Sequence, residues 1–146
     1  IGGRPIGGLE QDGKWKIDAR FNKKSLIHRI EKISSYRNRI DVSKLDGIEL
    51  MKGAYELPNA LVYIDPPYYK KGSSLYLNHY SQSDHSRLAE FLNSNPNFYW
   101  LLSYDNVPEI TNLYKSREKV VFDFYYHTGK PIKGSEIMIM SDVVMF

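Results

Sequence analysis

The feature that most constrains this chain is an apolar run at residues 60–64 that ends in the tetrad Asp65-Pro66-Pro67-Tyr68. The run Ala-Leu-Val-Tyr-Ile has the length and composition of a buried strand. Two successive prolines donate no backbone hydrogen bonds and fix φ, so the strand must stop there in a stiff turn. Open α/β sheets bind ligands just outside the carboxyl ends of their strands, where the tetrad would lie. An ordinary proline-rich turn is the alternative, but an acidic and aromatic turn in this place favours a ligand site.

Other apolar runs predict the remaining strands. Residues 98–104 predict a second buried parallel strand, and residues 39–43 predict a short one. Residues 120–126 and 137–140 predict two final strands that form an antiparallel hairpin at the edge of the sheet. The Asp-Gly pair at residues 12–13 predicts the turn of a further hairpin near the amino end. Together these segments predict an α/β fold.

Helical spacing and capping residues predict the helices. The first runs from about Asn22 to Tyr36 and carries an apolar stripe of Leu26, Ile27, Ile30 and Ile33. Ser81 with Asp84 predicts a capping box for a helix that presents His85, Leu88 and Leu92 on one face. Asn106 with Glu109 predicts a second capping box.

Positive charge is concentrated near the amino end of a chain whose formal net charge is only +3. Between Lys14 and Arg39, nine basic residues stand against two acidic ones, Asp18 and Glu31, for a net charge of +7. Such a stretch predicts a surface that contacts phosphate groups. A solvated face of an amphipathic helix is the alternative.

Composition narrows the class of protein. The 146 residues can bury a core, and no apolar stretch approaches the roughly 20 residues that cross a bilayer. With no signal peptide visible either, we expect a cytoplasmic protein with no membrane partner. The chain has no cysteine, so it forms no disulfide or thiolate metal site. Its four histidines lack metal-ligand spacing, and we expect no metal.

The tetrad resembles the DPPY motif of amino-group methyltransferases that use S-adenosylmethionine. The wider stretch at residues 62–72, Val-Tyr-Ile-Asp-Pro-Pro-Tyr-Tyr-Lys-Lys-Gly, resembles the Dam-type DNA adenine-N6 methyltransferases. Residues 102–106 and 136–140 are similar to downstream strands of that family. The resemblance implies a Rossmann-like S-adenosylmethionine-dependent methyltransferase fold with a C-terminal antiparallel hairpin. It also implies methyl transfer to adenine N6 in DNA, with flipping of the base.

The resemblance also implies roles for individual residues. All four tetrad residues, Asp65, Pro66, Pro67 and Tyr68, would be catalytic. The Asp65 side chain and the Pro66 carbonyl would hold the two hydrogens of the amine, and Tyr68 would stack on the base. An Asp at the first position favours adenine without excluding cytosine. Beside such a motif, the basic stretch is expected to contact DNA, through Lys14, Lys16, Arg20, Lys23 and Lys24. Tyr69, Lys70 and Lys71, in the loop after the tetrad, could also contact DNA, with an ordinary surface loop as the alternative.

Two acidic residues are further candidates. Asp65 and Asp46 would contact the cofactor, although Asp46 is equally suited to cap a helix at residues 48–51. Asp105 would lie beside the tetrad and could orient the flipped base or a water molecule.

The resemblance divides the chain in two. Residues 1–39, a loop or hairpin and the basic helix, would belong to the target-recognition region, and residues 40–146 would form the C-terminal part of the catalytic domain. Nothing before the tetrad matches the Phe-x-Gly-x-Gly-like loop that wraps the cofactor in this family. We therefore expect a fold that is incomplete at its N-terminal side. Without that loop, the isolated chain could bind the cofactor weakly or not at all and so be inactive, and its open sheet edge could favour self-association. The alternatives are a non-catalytic DNA-binding or assembly fragment, and a methyltransferase acting on RNA or cytosine N4.

Overall fold

A computed structural model describes residues 5–70, 72, 79–128 and 130–144. The chain divides into two compact units, Ile1–Lys44 and Leu45–Phe146.

The first unit is built around a single long helix. Helix α1 spans Lys23–Ser35, and the Asn22 side chain caps it by accepting a hydrogen bond from the Ser25 amide over 3.1 Å. A short 3₁₀ turn, Arg37–Arg39, follows. The predicted helix is confirmed, but its apolar stripe is not buried in this unit, since Ile30 and Ile33 are 65% and 63% exposed.

Two predictions for the first unit are wrong. Residues 6–15 form turns rather than a hairpin, because the Gln11 side chain ties the segment together by bonding the Ile6 and Gly8 carbonyls and the Ile17 amide. Residues 40–43 form no strand. Val42 is 89% exposed. No described strand pairs with this segment, so its backbone N–H and C=O groups have no described strand to bond in a sheet.

The second unit is a four-stranded mixed sheet with helices. Its sheet has the order β1-β2-β4-β3, in which β1 and β2 are parallel and β4 runs antiparallel to both β2 and β3. The elements in chain order are α2 Gly47–Tyr55, β1 Leu61–Ile64, α3 Gln82–Ser94, β2 Tyr99–Asp105, α4 Pro108–Leu113, β3 Lys119–Thr128 and β4 Lys130–Met140. The predicted parallel pair and the C-terminal antiparallel hairpin are confirmed. The hairpin is tighter than predicted, because most of residues 127–134 belongs to its strands.

The core lies between the helices and one face of the sheet. Trp100, Leu102 and Tyr104 alternate along β2 and are fully buried. They join residues of β4 and of the helices α2, α3 and α4 in one cluster: Met51, Leu88, Ala89, Leu92, Ile110, Ile137 and Ile139 among them. On the opposite face, Leu61 and Tyr63 of the edge strand β1 are each 59% exposed. Self-association through this edge stays a prediction.

Of the two predicted capping boxes, one is confirmed. The Ser81 side chain and the Asp84 carboxylate cap α3 reciprocally. The second box is wrong, since α4 begins after Val107 without a side-chain cap. Asn106 instead bonds Ser135 through its backbone and its side chain, each over 3.1 Å, because the β2–β4 ladder continues to the end of β2.

A buried histidine links α3 to the sheet. His85 is 2% exposed, and its Nδ1 lies 2.7 Å from the Tyr104 hydroxyl. Burial lowers the pKa of His85, and the nearby Asp105 and Asp84 carboxylates oppose that shift. Burial also raises the pKa of Tyr104, so the phenol stays neutral and can donate to a neutral imidazole.

We expect the protein to lose stability as the pH falls below about 6.5, the ordinary pKa of histidine. Because the pKa of His85 is lower in the folded state, the unfolded chain binds the proton more readily in that range. Urea unfolding at pH 7.5 and pH 5.5 would measure the loss. His85→Gln should reduce it, whereas His28→Gln, at an exposed position on α1, should not. An equal loss in all three proteins would contradict this expectation.

Candidate functional site

The parallel pairing of β1 and β2 brings the ends of both strands together. Ile64 pairs with Leu102, so the next residues, Asp65 and Ser103, lie side by side. The Ser103 hydroxyl donates to Asp65 Oδ1 over 3.1 Å. In turn, Ser103 Oγ accepts from the Tyr63 hydroxyl over 2.9 Å. A chain of two hydrogen bonds therefore ends on the Asp65 carboxylate.

The tetrad presents its acidic and aromatic members at the surface of the sheet. Asp65 is exposed, Pro66 is buried, and Pro67 and Tyr68 are half-buried. Tyr68 packs against the hydrophobic core at one side. Tyr68 therefore contacts the core and remains partly accessible to solvent.

Asp105 holds the backbone that leaves the tetrad. Its two carboxylate oxygens accept hydrogen bonds from the Tyr69 and Lys70 amides, each over 2.9 Å. The Gly72 amide bonds the Tyr68 carbonyl over 2.8 Å, as in the first turn of a helix. Asp105 thus satisfies the free N–H groups of that turn, as an N-cap would, although it comes from another strand. The prediction that Asp105 lies beside the tetrad is confirmed, but its role as the acceptor for these two amides was not predicted.

The residues after the tetrad differ in their surroundings. The Tyr69 ring lies 5.0 Å from the His85 ring and is half-buried, whereas Lys70 is exposed. Lys71 lies outside the described residues. The DNA contacts expected of Tyr69, Lys70 and Lys71 stay predictions.

Asp46 acts as a helix cap. Its Oδ1 accepts from the Ile48 amide over 3.0 Å at the start of α2, and its Oδ2 pairs with Arg87 over 3.2 Å. The pair is exposed, and a carboxylate has about four lone-pair sites, so Asp46 retains capacity to accept from a ligand. The capping alternative is confirmed, and a cofactor contact stays a prediction.

Every basic residue between Lys14 and Lys44 has an exposed side chain. Arg20, Lys23 and Lys24 line an open groove of about 460 Å³ at the start of α1. The Lys14 ammonium lies 5.6 Å from the centre of the Trp15 ring, and the Lys16 ammonium donates to the Gln11 carbonyl. Positive charge and an aromatic ring therefore share one short segment, as in many surfaces that bind nucleic acid.

Two further features bear on the kind of site. Among the described residues, no three His, Asp or Glu side chains converge as a metal site would require. None of the helices in the described ranges is long and apolar enough to span a membrane.

Comparison with known proteins identifies one family. Residues 11–129 match the family model described as D12 class N6 adenine-specific DNA methyltransferase. The match includes the tetrad, β2 with Ser103 and Asp105, and the basic segment of the first unit. No curated protein matches the chain.

Proposed function

The chain belongs to the D12 class of N6 adenine-specific DNA methyltransferases, and from this premise we propose that it transfers a methyl group from S-adenosylmethionine to N6 of a flipped adenine in DNA. The Dam-type resemblance is thereby confirmed at the level of the family. The donor, the flipped base and the roles of single residues are parts of the proposal.

The chemistry asks for groups that accept hydrogen bonds. The lone pair of the adenine amine is delocalised into the ring, so the nitrogen is a poor nucleophile. Two acceptors that hold its two hydrogens would aim the nitrogen at the methyl group and stabilise its developing positive charge. We assign these acceptors to the Asp65 carboxylate and the Pro66 carbonyl, and the stacking surface to Tyr68. Pro67 keeps the turn rigid.

The proposal depends mainly on the exposure and the hydrogen bonding of the Asp65 carboxylate. Its carboxylate is exposed at the carboxyl end of β1, and the buried Ser103 hydroxyl bonds one of its oxygens. A carboxylate that serves only the fold would be expected to cap a helix, as Asp84 does, or to pair with a cation, as Asp142 does. Asp65 has no ion pair with any described residue, and the half-buried Tyr68 follows it three positions later in the chain.

The site also has to hold the methyl donor. S-adenosylmethionine, when bound, supplies a methyl group on a positively charged sulfur, which makes a good leaving group. We assign Asp65 and Asp46 to its contacts, since both carboxylates are accessible and have lone pairs to spare. Their negative charge suits a cationic ligand.

The stacking surface and the basic residues support the proposal that the substrate is DNA, and the sheet supports a methyltransferase fold. A duplex base is out of reach of an enzyme's active site until it is extruded, and stacking on an aromatic side chain contributes about 1–3 kcal/mol. Lys14, Lys16, Arg20, Lys23 and Lys24 would contact the phosphate backbone. A parallel strand pair flanked by an antiparallel hairpin is consistent with a Rossmann-like methyltransferase sheet.

The test is transfer of a tritiated methyl group from S-adenosylmethionine to unmethylated duplex DNA by a protein that contains these 146 residues. Digestion to nucleosides should place the label on N6-methyldeoxyadenosine. Label on N4-methylcytosine, or preferential labelling of RNA, would overturn the substrate assignment. If no methyl transfer occurs and calorimetry shows no binding of S-adenosylmethionine, the result favours the alternative of a non-catalytic DNA-binding or assembly fragment.

A further inference from the structure

The strand end beside the tetrad contributes groups that hold it in place. Ser103 is 2% exposed and Asp105 is 8% exposed, and both lie at the carboxyl end of β2. Ser103 bonds the side chain of the first tetrad residue, and Asp105 bonds the backbone just after the last one. β2 therefore contacts the tetrad at both of its ends.

The hydrogen bond from Ser103 has a defined direction. The Tyr63 hydroxyl donates to Ser103 Oγ over 2.9 Å, and the Ser103 hydrogen is then directed at Asp65 Oδ1. An exposed Asp side chain without such a partner would rotate among several staggered conformations. With Oδ1 engaged, the orientation of the whole carboxylate is set, and Oδ2 is presented in one direction.

We infer that Ser103 is a positioning residue for methyl transfer, which fixes the Asp65 carboxylate in the orientation that receives the adenine amine. The inference rests on the proposed function, since it assigns Ser103 a role in the same site. Ser103 acts through Asp65 and need not touch the substrate. Asp105 supports the same arrangement by fixing the chain beyond Tyr68.

The expected kinetic signature follows from where the charge develops. The amine becomes positive only as the methyl group is transferred, so a misaligned carboxylate weakens the transition state more than the bound substrate. Ser103→Ala should therefore lower kcat by roughly tenfold to a hundredfold, the range for loss of a hydrogen bond to a charged group. The KM values for DNA and for S-adenosylmethionine should stay within about twofold of wild type.

Two further variants separate positioning from stability. Ser103→Thr keeps the hydroxyl on a residue suited to a strand and should recover most of kcat. Ser141→Ala is the matched control, because Ser141 is 1% exposed and its hydroxyl accepts from the Trp100 amide, three positions before Ser103 on the same strand. It should alter the melting temperature but not kcat.

The outcomes distinguish this inference from the proposed function. The positioning role is overturned if Ser103→Ala has a kcat within twofold of wild type. It is also overturned if Ser103→Thr has the melting temperature of wild type but is as slow as Ser103→Ala. If the wild-type protein transfers no methyl group, the proposed function itself fails. If Asp65→Ala keeps full activity, the role of Asp65 fails, and the positioning role of Ser103 fails with it, while methyl transfer stands. If Asp65→Ala is inactive while Ser103→Ala is fully active, the proposed function stands and only the positioning role of Ser103 is lost.

Discussion

Asp65→Ala should lower kcat for methyl transfer to DNA by about a hundredfold to a thousandfold, the loss typical of removing one preorganised group that stabilises transition-state charge. The substitution deletes the acceptor that we assign to the amine of adenine. It should cost the fold little, because Asp65 is exposed and gives up only the Ser103 hydrogen bond among its described contacts. Single-turnover transfer of a tritiated methyl group, with urea unfolding alongside, measures both quantities.

The Asp65 prediction has two controls. Asp65→Asn keeps one acceptor oxygen without the charge, so its rate should fall between wild type and Asp65→Ala. Asp18→Ala removes an exposed carboxylate from the first unit and should leave kcat unchanged. An Asp65→Ala enzyme with more than half of wild-type activity would remove the central residue of the proposed mechanism.

The parts of the fold that follow local rules could be predicted from the sequence. The run at residues 60–64 and the diproline set the end of β1 within one residue, because both signals are local. Asn22 and the Ser81–Asp84 pair correctly mark the starts of α1 and α3, since a cap bonds amides within three residues. The hairpin of β3 and β4 was predicted because its two strands are neighbours in sequence.

The errors arise where a side chain has a distant partner. Asn106 precedes a helix as a cap would, but Ser135 on β4 bonds it instead, and Ser135 lies 29 residues further on in the chain. Asp105 could be placed near the tetrad by the rule that parallel strands end at one edge. Its actual partners, the Tyr69 and Lys70 amides, depend on the path of the chain after the prolines. One sequence signal was available, since the backbone amides in a tight turn after two prolines need a hydrogen-bond acceptor from elsewhere in the chain.

The apolar stripe of α1 shows a different limit. Helical periodicity correctly predicts which side chains share a face, but it carries no information about what covers that face. Leu26 and Ile27 are 39% and 44% exposed, and Ile30 is more exposed still. Burial is a property of the whole assembly of elements, and no spacing rule within one helix can determine it.

Trp100→Ala should lower the free energy of unfolding by about 3–5 kcal/mol, the range for truncating a large buried aromatic side chain. Trp100 is fully buried in the middle of the core, where its ring centre lies 6.4 Å from that of Tyr114 and the Arg117 guanidinium lies 5.8 Å away. Since whole domains are stable by only about 5–15 kcal/mol, this one change removes a large share of the margin. Urea unfolding followed by far-ultraviolet circular dichroism would measure it.

Tyr99→Ala is the matched control for Trp100→Ala, because the two aromatic residues are neighbours on β2 whose side chains point to opposite faces of the sheet. Tyr99 is 48% exposed, so its truncation should cost no more than about 1 kcal/mol. Equal losses at the two positions would contradict the assignment of the core to one face. Loss of Trp100 should also affect the candidate site, because Trp100 lies on β2. The same strand carries Ser103, which bonds Asp65, and Asp105, which bonds the Tyr69 amide. Trp100→Ala should therefore lower methyl-transfer activity at temperatures where the variant is partly unfolded, and cooling should restore that activity. Ser103→Ala should stay slow after cooling, because it removes a hydrogen bond of the site and not the stability of the fold.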